Sequence, residues 1–357
     1  MTTATVRARP ATEVRREVRR KPLDDRLTLG VAVASSFSLT WMAFHFALFS
    51  GGLVGFVICW YIALLAMYAG LTAISQPRAI VADRVASTLV TGAAVLMLAV
   101  LVSAVVFVVI KGLQALRPSF LTHDMGGVGP EAPIRAGGIL HAIVGSLIEL
   151  SIAVSITIPL GIGCAVFMTE VGGKVSRIVR GVIEAMTALP SIVAGLFVYT
   201  VLIVDLHFPR SGLAAALALA VMGLPIQARA TDVVLRVVPG GLREASLALG
   251  ASRWQTVRRV VLPTALPGLA TGLILAMARM VGETSPVLLT SGASTFFNAN
   301  PVVNPMNSLP LFIFFSVRSG QPNPIARGFG AALVLLAIVL VLFVTARLVA
   351  RPKAGRT

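Results

Sequence analysis

The sequence predicts an all-α polytopic membrane protein with about eight transmembrane helices, and three observations lead to that class. The 357 residues are 57% hydrophobic and only 12% charged, with a mean hydropathy of +0.91, whereas about a quarter of the residues of a soluble domain carry charge. The apolar residues fall into runs long enough to cross a bilayer, which takes about 20 helical residues. Lys and Arg are distributed very unequally between alternate connections of those runs.

The elements follow in order. Residues 1–26 form a basic tail containing Arg15, Arg16, Arg19, Arg20 and Lys21, either a topology signal on a disordered arm or an attraction for anionic lipid. The run behind it is too long for the apolar region of a cleavable signal peptide and flows into a second span. Residues 27–84 read as a transmembrane hairpin: from Leu27 to Pro77 no Asp, Glu, Lys or Arg occurs, and Gly51-Gly52 marks the turn between two spans. Residues 85–349 hold the remaining six spans, at Val85–Ile110 and about 139–168, 181–203, 213–232, 264–290 and 328–346, and 350–357 form a second tail. Pro190 lies within the 181–203 run and should kink it.

With both termini cytoplasmic, 23 of the 30 Lys and Arg residues lie on the cytoplasmic side and 6 outside, and Arg279 alone stays in the bilayer. That bias satisfies the positive-inside rule and accounts for the net charge of +16 without nucleic acid as a partner. Cys59 and Cys164 fall inside spans, where Cys behaves as a small hydrophobe. His45, His123, His141 and His207 lack metal-ligand spacing, so no metal site is expected. No phosphate-binding G-x-x-x-x-G-K-[ST] loop occurs; Gly173-Lys174 is followed by Val175.

Arg279 and Glu283 stand four residues apart inside the run that begins near Leu266, a spacing that puts both on one face of a helix. A charge at that depth costs about 2.5–3.5 kcal/mol on insertion scales, so such residues mark partners or transport paths. Either the pair neutralises itself, or Arg279 offers its fixed fork of donors to an oxyanion or carboxylate. On the cytoplasmic side, 238–263 reads as helix, break, helix, with Gly250 able to end the first piece and Pro263 stopping the second.

Within that segment Glu244-Ala245-Ser246, Gly250, Val260 and Leu262-Pro263 stand at the spacing E-A-A-x3-G-x9-I-x-L-P, and the chain resembles the ABC importer permeases that carry this EAA loop. The resemblance implies that Glu244, Ala245, Gly250, Leu262 and Pro263 couple to an ATPase subunit. From about Lys111 onward the chain is similar to the phosphate-specific PstA-type permeases, through Gly137–Ser146, Pro190–Tyr199, Leu235–Ala245 and, above all, Ala276–Leu289 with its A-R-x-x-G-E-T-x-P pattern. That likeness implies a substrate path lined by Arg279, Glu283 and Thr284, with Arg229 as a further basic position near the cytoplasmic end of the sixth span. Arg229 fits a snorkelling anchor equally well. Gly282 would allow a close helix approach or a local break.

The implied function is inward transport of inorganic phosphate. The chain itself would bind no cofactor and catalyse no reaction, with ATP hydrolysed on PstB-type subunits. The implied partners are a PstC-type homologous permease, those ATPases, an extracytoplasmic PstS-type phosphate-binding protein and the bilayer of the bacterial cell membrane. The alternatives are a permease for sulfate, molybdate or phosphonate, or a non-transporting membrane scaffold. Two features depart from the family. The hairpin at 27–84 is additional to the usual six spans, and Glu149 stands where related permeases carry an apolar residue; it pairs with a neighbouring helix, lines the path or marks a change of depth. The stretch 293–324, rich in Asn and Pro, is expected to be an external loop that meets the binding protein.

Overall fold

The computed structural model describes residues 23–46 and 52–349. Among them every regular element is helical. The chain divides into two units, residues 1–103 and 104–357.

In the first unit, α1 (Leu23–His45) and α2 (Gly52–Ser75) form the expected hairpin, followed by the start of α3 (Arg78–Gly112). Ala32, Leu64 and Tyr68 are its small core. Phe37 and Phe56 pack edge to face, with ring centroids 5.7 Å apart. Tyr61 donates to the carbonyl of Thr88 at 3.0 Å and so ties α2 to α3. Hydroxyls inside these helices, such as Thr40 and Thr72, donate to carbonyls four residues back, which satisfies them where no water is at hand. The apolar side chains of α3 remain exposed, among them Val90, Met97 and Leu101, as suits a span facing lipid or another subunit.

The second unit is built on three long helices: α5 (Leu140–Val166, prolonged by a π-helical turn Phe167–Val171), α8 (Gly212–Val237) and α11 (Leu262–Val281). Small residues bring them close. Ala215, Ala216 and Ala220 of α8 pack against Leu150 and Ala153 of α5 and against Ala276 and Met280 of α11. Gly223 faces Met280, Ala230 faces Gly272 and Val234 faces Gly268, so α8 and α11 run antiparallel. A second core near the C-terminal end of α8 joins Ala165, Ile183, Leu235, Val261 and Leu269. A third, toward the opposite end, joins Phe120 of the short α4 (Pro118–Thr122), Ile139, Leu309 and Phe312.

Three stretches differ from the sequence expectation. The run 181–203 is not one kinked span. α6 (Gly173–Thr187) and α7 (Ser191–Val198, prolonged as a π-helix to Asp205) meet at a 105° bend, with Pro190 capping α7. Proline disfavours helix in the residue before it, and α6 is amphipathic, burying Ser176 and Ile183 only. Among the described residues seven helices are long and apolar enough to cross a membrane, and the bent pair supplies an eighth crossing if it counts as one.

The run 264–290 is likewise two helices, since α11 stops at Val281 and α12 covers only Ser285–Thr290. At its other end Pro263 stops nothing: it occupies the first turn of α11, where a missing N–H costs least, and a π-helical turn at Val257–Val261 connects it to α10 (Arg253–Thr256).

The stretch 293–324 is not all loop. α13 (Leu309–Arg318) buries Leu309, Leu311 and Phe312, and α14 (Pro322–Val349) begins earlier than expected. Residues 291–308 are irregular, apart from an isolated bridge between Gly292 and Met306, and so is the short 319–321 link between the two helices. The 291–308 segment lies on α5: the Ser146 hydroxyl accepts from Leu309 N–H at 2.7 Å, and a Cβ on Gly145 would fall onto the Asn307 carbonyl. Gly145→Val is therefore expected to unseat residues 306–309, read as increased hydrogen exchange there with little change near Ala230. Farther out, Asp124 accepts from Phe297 N–H at 2.9 Å and Gly126 N–H at 3.1 Å. These bonds hold its carboxyl below the usual carboxylate range.

Candidate functional site

The break between α11 and α12 creates the site. Arg279 sits in the last turn of α11, Gly282 is the C-cap with φ −88 and ψ −2, and Glu283 N–H donates to Met280 O at 3.2 Å. Arg279 and Glu283 meet at 3.1 Å (Nε to Oε1), their side chains 61% and 13% exposed. The i,i+4 pair thus closes over a helix end, not along a continuous helix. A Cβ on Gly282 would meet nothing, so of its two expected roles the local break is the observed one. Thr284 is half-buried and caps α12, its carbonyl accepting from Leu288 N–H at 2.9 Å.

Arg229 does not join this group. It is exposed on α8, beside Ala230, which meets Gly272. Seven residues of α11 separate that level from Arg279, about 10 Å of helix.

Behind Glu283 lies a cavity of about 20 Å³, lined by Ser146, Glu149, Leu219, Met280, Glu283 and Ser308 among others; that is room for about one water. Glu149 is 1% exposed, and Ser291 Oγ lies 2.7 Å from its carboxyl. Glu149 thus touches the segment that follows α12 and shares a cavity with Glu283. Ser308 Oγ is buried without a protein partner.

The 238–263 segment is held by side chains that sequence reasoning does not single out. α9 (Gly240–Ala248) ends before Gly250, whose φ of +84 is a left-handed conformation natural to glycine. The Arg243 guanidinium donates to Glu170 Oε1 at 3.0 Å and to the carbonyls of Val238 and Leu235 at 2.8 Å each. It thereby fixes α9 to the ends of α5 and α8. Ser246 bonds to Thr256 through their hydroxyls at 2.9 Å, and Ser252 with Gln255 forms a capping box on α10. Glu244, Ala245, Gly250 and Pro263 are exposed, and Leu262 is half-buried. Leu249, 90% exposed, and Trp254 are large apolar side chains left open on this segment.

A bundle of helices long and apolar enough to cross a membrane, a broken helix carrying a charge pair and the helix–turn–helix at 240–256 together describe a transport subunit. The chain belongs to the binding-protein-dependent transport system inner membrane components, whose family pattern covers residues 157–352. It is 40% identical to the phosphate transport system permease protein PstA 1 of Mycobacterium tuberculosis over 234 residues, 65% of this chain and 76% of that one. It is also 38% identical to the phosphate transport system permease protein PstA of Xylella fastidiosa, over 60% of this chain and 75% of that one. A probable ABC transporter permease protein of Bacillus subtilis, YqgI, is 35% identical over 75% of this chain and 94% of its own length.

Proposed function

We propose that the chain is the transmembrane permease subunit of an ABC importer that moves inorganic phosphate into the cell, driven by ATP hydrolysed on separate subunits. The observation that carries this is the Arg279–Glu283 contact at 3.1 Å, placed where an apolar helix ends within the membrane and left open on the Arg279 side. Likeness to PstA permeases supplies the substrate class. In this reading Arg279 donates charge-assisted hydrogen bonds to phosphate. Glu283 accepts from the acidic proton of HPO4, which sulfate lacks at neutral pH. Thr284 adds a hydroxyl at the same level, and Arg229, farther along α8, receives the anion toward the cytoplasm.

One chain forms half of a path; a homologous PstC-type permease, PstB-type ATPases and a PstS-type binding protein complete it. ATP-driven closure of the ATPases reaches α8, α5 and α11 through the 238–263 segment, and rigid-body rocking alternates access. The chain holds no cofactor of its own. The complete complex in lipid vesicles should accumulate labelled phosphate on ATP addition, with excess sulfate or molybdate competing weakly; equal competition would replace phosphate by a broader oxyanion class. Glu283→Gln should narrow the preference of phosphate over sulfate.

With both termini cytoplasmic, a cysteine at Ala299 reacts with an impermeant label from outside, whereas one at Leu249 reacts only after the membrane is opened. Both positions are exposed. Labelling of the Leu249 site in intact cells would reverse the orientation.

A further inference from the structure

We propose that Glu149 is a proton-binding site, and that the proton it holds fastens the 291–309 segment to α5. Hydrogen-bond bookkeeping carries the inference. Ser291 Oγ lies 2.7 Å from Glu149 Oε1 and also 2.7 Å from Met306 O. A serine hydroxyl has one hydrogen to give, and the Met306 carbonyl has none. Both distances are those of full hydrogen bonds, and both bonds are complete when Glu149 supplies the second hydrogen: the carboxylic acid donates to Ser291 Oγ, and Ser291 donates to Met306 O. Burial points the same way. Glu149 is 1% exposed, and none of the ion pairs among the described residues includes it. A lone carboxylate in such a place is far costlier than the neutral acid.

Few groups oppose or support that proton. From the α11–α12 break Glu283 lines the same cavity, its charge met by Arg279. α8 presents Leu219, α14 presents Leu335 and Ile338, and the start of α13 presents Ser308, Leu309 and Pro310, none of which titrates. On α5 itself His141 is two turns away, its ring edge-on to Phe312.

The chain of bonds closes a latch. Met306 N–H already donates to Ser291 O at 3.0 Å, so Ser291 and Met306 are joined through both backbone and side chain, and Glu149 joins the pair to α5. If Glu149 gives up its proton, the Ser291 hydroxyl turns to the carboxylate and the buried Met306 carbonyl loses a partner. The segment that follows α12, whose last residue Ser308 lines the same cavity as Glu283, is then held less firmly. The resulting device makes the seat of the Arg279–Glu283 pair responsive to protons.

The test uses the purified complex and three forms of the chain. Infrared spectra at neutral pH should show the carbonyl band of a protonated, buried carboxylic acid in the wild type and lack it in Glu149→Gln; an unchanged band would overturn the proposal. Gln keeps a donor toward Ser291, so Glu149→Gln should keep uptake within about threefold of wild type near neutrality, whereas Glu149→Leu should lose most of it. On passing to alkaline buffer, wild-type uptake should fall several-fold more than that of Glu149→Gln, since phosphate ionisation affects both alike; identical pH profiles would sink the latch. Only the uptake arm rests on the phosphate reading, so a complex that moved another anion would leave the infrared result standing.

Discussion

Arg279→Gln is expected to lower phosphate uptake by about 10- to 100-fold, because hydrogen bonds from a charged donor contribute roughly 1.5–3 kcal/mol and about 1.4 kcal/mol is a factor of ten. The loss should appear at wild-type membrane levels. Arg279 is 61% exposed in this chain, and an ion pair with one partner so exposed stabilises a fold by about 0–1 kcal/mol. A variant that fails to reach the membrane would mean that the pair holds the helix break together. Uptake by intact vesicles, normalised to permease content, makes the distinction.

Gly250→Asp should abolish transport while leaving the membrane bundle folded. Gly250 has φ +84 with nothing within 4 Å of a Cβ placed there, so within the chain the substitution costs about 1–2 kcal/mol of left-handed backbone strain and meets no atom. Its larger effect falls on whatever docks against the turn beside Leu249, since a carboxylate would be carried into an apolar contact. The expected result is normal insertion, loss of ATPase co-purification and uptake at background. Arg243→Gln should be milder: the Glu170 and carbonyl contacts go, and ATP hydrolysis continues with less phosphate moved per ATP.

Most of the membrane architecture is legible in the sequence, because long uncharged runs and unequal loop charge arise together almost only in chains that cross a bilayer. The 238–263 segment is legible too, down to the glycine that follows α9. Breaks inside apolar runs are harder to read. Leu189-Pro190 announces a kink, but only the packing of α6 beside α8, with Arg180 reaching Asp232 at 3.3 Å, turns the chain by 105°. The stop at Gly282 is one of two outcomes that a glycine there allows. α13 escapes a sequence reading because ten residues are short for a span and lie among Asn and Pro that signal a loop; its helix is fixed by burial of Leu309, Leu311 and Phe312. At the site, adjacency in sequence gives the Arg279–Glu283–Thr284 group. Contacts between distant residues, such as Glu149 with Ser291 and Arg243 with Glu170, leave no spacing signal, although an acid inside a span is itself a cue.

The claim that Arg279 meets the substrate is tested most directly by uptake of labelled phosphate in the double variant Arg279→Gln, Glu283→Gln at matched expression. Two neutral amides can hydrogen-bond across the helix end without an unpaired ion, so a merely structural pair would be repaired by the second substitution. If Arg279 donates to phosphate, the double variant stays as inactive as Arg279→Gln alone, and that is the result expected here. Uptake restored to near the wild-type rate would contradict it and leave the pair as packing at a helix break.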